Sequence, residues 1–108
     1  MQSIPQITPV MLQNLLAERD DVLLLDVRED EEVAFCHLPH YVHIPMNHIP
    51  LRHNELPDNK AIVVYCHHGM RSLYSAMYLA EVGFEEVYNL QGGIDAWAQT
   101  IDPTMPRY

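Results

Sequence analysis

The chain has 108 residues, 48% of them apolar, and sets six Lys and Arg against fifteen Asp and Glu for a formal charge of −9. That length suits one domain spanning 1–108 with a packed core, and no low-complexity tract points to disorder. The acidic balance argues against a nucleic-acid surface, which needs clustered Lys and Arg. No apolar run approaches the roughly 18 residues of a membrane span, and the start of the chain lacks the basic and apolar regions of a secretory signal. A cytoplasmic protein is the expectation, with no membrane or nucleic-acid partner.

Thr8-Pro9 reads as an N-cap followed by proline at the first helical position. The apolar spacing of Val10, Met11, Leu15 and Leu16 then predicts an amphipathic helix ending near Asp20. Val22-Leu23-Leu24-Leu25, closed by Asp26, is the continuous apolar run of a strand buried on both faces. Asp30 to Phe35 reads as a short helix, with the carboxylates of Glu29 to Glu32 at its favourable dipole end. A loop around Pro39 follows, then a short strand over Val42-His43-Ile44 and a helix from about Met46 to Asn54. Ala61 to Tyr65 is the second strong buried strand. The period of Leu73, Ala76, Met77 and Ala80 predicts a helix over Ser72 to Val82, with Gly83 as its left-handed C-cap. Glu86 to Leu90 returns as a strand, and Gly92-Gly93 opens a last helix through Trp97. Trp97, Leu90 and Ile94 read as core packing. Strands alternate with helices throughout, which implies an α/β fold of right-handed βαβ units around a parallel sheet. The core is expected over about 7–99. The tail over 100–108 holds two prolines and is expected either to drape over the domain or to mediate self-association.

The chemistry concentrates in Cys66-His67-His68-Gly69-Met70-Arg71-Ser72, directly after a buried strand. Ligands of open α/β sheets bind at the carboxyl ends of strands. A loop turning from strand into helix can aim successive backbone N–H groups at one centre, which favours an anion, here a thiolate. Arg71 adds a permanent charge in a planar fork suited to oxyanions. Gly69 lets the backbone turn with positive φ or lie close to a ligand. The alternative role for Cys66 is that of a buried core thiol.

These blocks resemble the rhodanese-like sulfurtransferases. The resemblance rests on Leu25-Asp26-Val27-Arg28-Glu29, His37-Leu38-Pro39 with Ile44-Pro45, Val64-Tyr65-Cys66 with its loop, Gly83-Phe84, and Leu90 to Trp97, all in the family's order. It implies a doubly wound, mainly parallel five-stranded sheet and a Cys66 persulfide formed during turnover, with no cofactor. The sulfur would come from a donor such as thiosulfate or a protein persulfide. It would pass to a thiol, cyanide or protein acceptor. Backbone N–H groups from His67 to Ser72 would hold the outer sulfur while Arg71 helps to bind an anionic donor. Phosphatases sharing the fold carry a longer loop, so the six residues from Cys66 to Arg71 favour sulfur transfer. Two departures stand out. Cys36 and His40 replace glycines common in the family, which implies an altered backbone there. His67 and His68 replace the basic residues of many thiosulfate-active members, so thiosulfate is expected to substitute poorly for the physiological donor.

Asp26 and Arg28 are expected to support the active site from the end of the first strong strand. Cys36 is either a second, resolving thiol or a buried one. His37, His40, His43, His48 and His53 fall within 17 residues, but three prolines break that stretch and no metal site is expected.

Overall fold

The two continuous apolar runs lie side by side in the middle of the sheet. In the computed structural model, which describes residues 3–108, β2 (Val22–Asp26) and β4 (Ala61–Tyr65) pair in parallel, from Val22 beside Ala61 to Asp26 beside Tyr65. Outside them, β3 (Tyr41–His43) flanks β2 and β5 (Val87–Leu90) flanks β4. The two-residue β1 (Gln6–Ile7) closes the far edge against β5. The order β1-β5-β4-β2-β3 is parallel at every pairing. Parallel neighbours need crossovers, and the helices supply them: α1 (Pro9–Glu18), α2 (Asp30–Phe35), α3 (Ile49–Arg52), α4 (Met70–Glu81) and α5 (Gly93–Thr100).

Side chains of β4 alternate between two cores. Ile62, Val64 and then Cys66 pack with Ile49, Ala76 and Leu79 of α3 and α4. Val63 and Tyr65 pack with Leu12 of α1 and with Ile94 and Trp97 of α5. With both faces covered, every residue of β4 is buried, which is why the strand reads as an unbroken apolar run. Among the described residues, no helix is long and apolar enough to cross a membrane.

Element boundaries differ from expectation where local chemistry intervenes. The helix expected over Met46 to Asn54 is divided into a 3-10 turn (Met46–His48), α3 and a second 3-10 turn (His53–Glu55). Pro50 sits in the first turn of α3, where its missing N–H is tolerated but prevents a continuous ladder from Met46. Helix α4 opens at Met70 rather than Ser72, because Gly69 turns the chain at φ +107° and brings Met70 and Arg71 into the first turn. Helix α5 continues past Trp97 to Thr100. β1 is too short to show a period.

The turn before β3 has a backbone conformation unusual for its residue type. His40 holds φ +56°, the left-handed region that favours glycine, so the turn is made here without one. A side chain in that region costs about 1–2 kcal/mol, partly offset by the greater freedom of an unfolded glycine. His40→Gly is therefore expected to stabilise the fold by about 1 kcal/mol, read as a higher urea midpoint at unchanged slope.

Candidate active site at the Cys66 loop

Cys66 leaves β4 on the α4 side of the sheet and is only 1% exposed. Its sulfur meets two N–H donors and a hydroxyl as the chain turns into α4. The Gly69 N–H lies 3.1 Å from Sγ, the Ser72 N–H 3.4 Å, and the Ser72 hydroxyl 3.3 Å. Two elements behind the loop hold its carbonyls. At the start of α5, the Ile94 N–H donates to the Cys66 carbonyl at 2.9 Å and the Asp95 N–H to the His67 carbonyl at 3.1 Å. From β5, the Asn89 amide donates to the Gly69 carbonyl at 3.0 Å. With a trans peptide the N–H opposes the C=O, so these tethers turn the N–H groups of His67, His68 and Met70 away from α5 and β5, on either side of the Gly69 N–H that meets the sulfur.

Close approach of α5 requires Gly93. A Cβ there would run into the Cys66 and His67 carbonyls. Gly69 is constrained in the same way, by its φ of +107° and by the Gly92 and Leu90 backbone beside it.

Arg71 bonds a carboxylate rather than the sulfur. Its guanidinium makes a two-pronged pair with Glu32 of α2 at 2.7 and 2.9 Å. The Arg71 bonds, with help from the Tyr108 hydroxyl, hold the Glu32 carboxyl down to about 2 against an ordinary 4.5. Glu32 also accepts from the Glu29 N–H at 3.0 Å, capping its own helix. Tyr108 completes the cluster. Its hydroxyl donates to Glu32 at 2.6 Å and accepts from Arg28 at 2.9 Å. Its ring stacks on His67 with centroids 3.8 Å apart and an interplanar angle of 8°. Burial, reinforced by the neighbouring His68, lowers the His67 pKa and favours its neutral form.

Asp26 and Arg28 form a fully buried pair, joined at 2.7 Å. Their bonds reach α2 and the tail, and none reaches Cys66 to Ser72. Arg28 donates to the Cys36 carbonyl at 2.6 Å and the Glu32 carbonyl at 3.4 Å, closing the C-terminal end of α2. Burial opposes the Arg28 charge, but the bonds to Asp26 and Tyr108 together outweigh it and raise its pKa. Cys36 is buried on the opposite face of the sheet from Cys66, against Ile94 and Trp97.

The family profile of the rhodanese-like domain matches residues 8–100. This chain belongs to that family. A sulfurtransferase of Allochromatium vinosum is 40% identical over 96 residues, which cover 89% of this chain and 90% of that protein. The thiosulfate sulfurtransferase GlpE of Coxiella burnetii is 33% identical over 82 residues, 76% of this chain and 77% of its own. The crystal structure of a rhodanese-like domain protein from Staphylococcus aureus superimposes with a TM-score of 0.83 at 33% identity, over 97% of this chain and 99% of that one. The all-parallel five-stranded sheet is the rhodanese-like fold expected from the sequence.

Within this rhodanese-like frame, the expected residues divide into three groups. Cys66, Gly69 and Ser72 meet at the sulfur. His67 is clasped by the tail, while the His68 side chain stays 65% exposed and Met70 points to solvent. Asp26, Arg28 and Arg71 face the α2 and tail cluster. The clustered histidines disperse: His37 packs on Tyr41, His43 bonds the Arg28 carbonyl, and His53 packs on Tyr78 and Phe84. Glu32, Asn89 and Tyr108 were not anticipated at the site. For Asn89 a signal existed, a polar residue inside an apolar strand, which must find partners when buried.

Two outcomes are expected. Gly93→Ala should cost about 1–3 kcal/mol by overpacking, measured by urea unfolding. The Glu32 carboxyl, lowered from 4.5 to about 2, contributes stability that is complete above pH 4.5 and lost as pH falls toward 2. Thermal melts across that window should therefore fall more steeply for wild type than for Glu32→Gln.

Proposed function

We propose that this chain is a sulfurtransferase that carries a sulfane sulfur from a donor to a thiophilic acceptor as a Cys66 persulfide. The observation that carries this reading is the convergence of the Gly69 and Ser72 N–H groups and the Ser72 hydroxyl on Cys66 Sγ. Donors fixed around a sulfur stabilise negative charge without having to reorganise during the reaction. Membership of the family and the names of its relatives support the same chemistry.

Each half-reaction is a displacement at sulfur. The Cys66 thiolate attacks the outer sulfur of the donor, an S–S bond forms, and the donor's old bond breaks. The leaving group, sulfite from thiosulfate or a thiolate from a persulfide, takes the electron pair. In the second step a thiolate or cyanide attacks the outer sulfur, and Cys66 leaves as the thiolate it was before. This covalent route gives ping-pong kinetics.

Burial of Cys66 has a use in such a cycle. The second sulfur extends the nucleophile by about 2 Å, outward from a position that is 1% exposed. The acceptor then meets the transferable sulfur while the cysteine itself remains enclosed. His67, His68, Gly69, Met70, Arg71 and Ser72 form the surrounding loop, with Asp26 and Arg28 supporting it through α2. A relay between two protein thiols uses the same displacements and differs only in its donor.

Intact-mass measurement after incubation with a sulfane-sulfur donor provides the test. Wild type should gain one sulfur atom, cyanide should remove it, and Cys66→Ala should gain none. An unchanged wild-type mass with both thiosulfate and a thiol persulfide would exclude the reading.

A further inference from the structure

The loop cation is already occupied. Arg71 is the one arginine in the Cys66 loop, and a carboxylate of the same chain fills both prongs of its fork. The other four arginines are also paired with acids: Arg19 with Asp21 and Glu86, Arg28 with Asp26, Arg52 with Glu55, and Arg107 with Asp95. The remaining cation, Lys60, precedes β4 at the end of that strand opposite Cys66. His67 adds no charge near neutrality, since burial favours its neutral form.

A second layer locks Glu32 in place. Tyr108 binds it through the hydroxyl and is itself held from three sides, by Arg28, by the stacked His67 ring and by the edge of Phe35 at 5.7 Å. The Arg107–Asp95 pair, at 2.9 Å, pins the adjacent tail to α5. Between tail and domain the crevice lined by Cys36, His67 and Ile94 leaves no room for a water molecule.

We propose that Glu32, held by Tyr108, is a specificity-determining gate on Arg71 that excludes small dianionic sulfur donors and selects thiol persulfides. This rests on the sulfurtransferase reading and names its donor class. A dianion such as thiosulfate gains most from a free guanidinium, and here it must first displace a charge-assisted, two-pronged carboxylate. At Arg71 it also meets the like charge of Glu32. A thiol persulfide presents its outer sulfur to Cys66 with no sulfonate to accommodate, so it loses nothing to the occupied arginine. The discrimination is achieved by repelling the wrong donor as much as by attracting the right one.

Two measurements decide it. The first compares kcat/KM for thiosulfate with kcat/KM for 2-hydroxyethyl persulfide, a donor without further charge. Glu32→Gln should raise the thiosulfate-to-persulfide ratio by about tenfold or more, and Tyr108→Phe, which keeps the ring but loses both hydroxyl bonds, by a smaller factor in the same direction. The second is calorimetric binding of thiosulfate to Cys66→Ala, with and without Glu32→Gln, where no turnover is needed. Tighter binding in the double variant supports the gate. An unchanged ratio together with unchanged thiosulfate affinity overturns it. Failure of wild type to take sulfur from either donor overturns the sulfurtransferase reading instead, and the calorimetric comparison still decides whether Glu32 closes Arg71 to anions.

Discussion

Everything distinctive about the site depends on where the loop carbonyls go. A strand-to-helix turn presents as many acceptors as donors, and an anion at its centre is favoured only if the acceptors are turned outward. Here two N–H groups at the start of α5 take the carbonyls of Cys66 and His67, and Asn89 takes that of Gly69. These groups would otherwise be unsatisfied as well: first-turn helix N–H groups have no partner within their own helix. One set of bonds thus caps α5, satisfies the loop carbonyls and fixes the peptides on either side of the Gly69 N–H. Gly93 makes the contact sterically possible. The path of the loop is therefore held by β5 and α5 as much as by its own turn.

A second chain of contacts runs along the other side of the loop, from Asp26 through Arg28 to α2, and from Glu32 to Arg71. A buried ion pair is weak evidence for stability, because desolvation offsets much of the attraction. The Asp26–Arg28 pair is better understood by what its remaining donors do. Arg28 directs them to two carbonyls at the end of α2 and to the Tyr108 hydroxyl. That fixes the helix carrying Glu32, and with it the direction of Arg71. A charge buried under the sheet edge in this way acts at a distance on the one cation beside the nucleophile.

The sequence was most informative where one residue's environment is set by its neighbours in the chain. Val22 to Asp26 and Ala61 to Tyr65 declared a doubly covered parallel sheet, and Asp30 to Phe35 declared its helix, because local composition and packing agree there. The Cys66 loop was legible as a candidate site for the same reason, since strand, cysteine, glycine and arginine are contiguous. What escaped was long-range. Glu32 and Arg71 lie 39 positions apart, and nothing local distinguishes that glutamate from the other acids of α2. Tyr108 meets Arg28 across 80 positions, through a tail with no periodicity. At His40 the tertiary path into β3 overrides local preference: a residue with a side chain takes the left-handed turn.

The cysteine loop is thus defined less by its own sequence than by what holds it from both sides. Cys66 is a member of the packed core, sharing a cluster with Val64, Ala76 and Leu79, so its sulfur cannot be displaced without disturbing α4. Close packing makes such a core resist small deformations. A rigid, enclosed sulfur suits a reaction whose intermediate lengthens the side chain by one atom, because the reach then comes from the covalent chemistry rather than from motion of the loop. Selectivity must in that case be set at the rim, by groups that decide which donor comes within reach. Glu32 and Tyr108, the groups proposed for that part, lie on α2 and the tail, outside the cradle. In the proposed reaction, binding of the donor and stabilisation of the sulfur therefore fall to different elements of the fold, and either can change without dismantling the other.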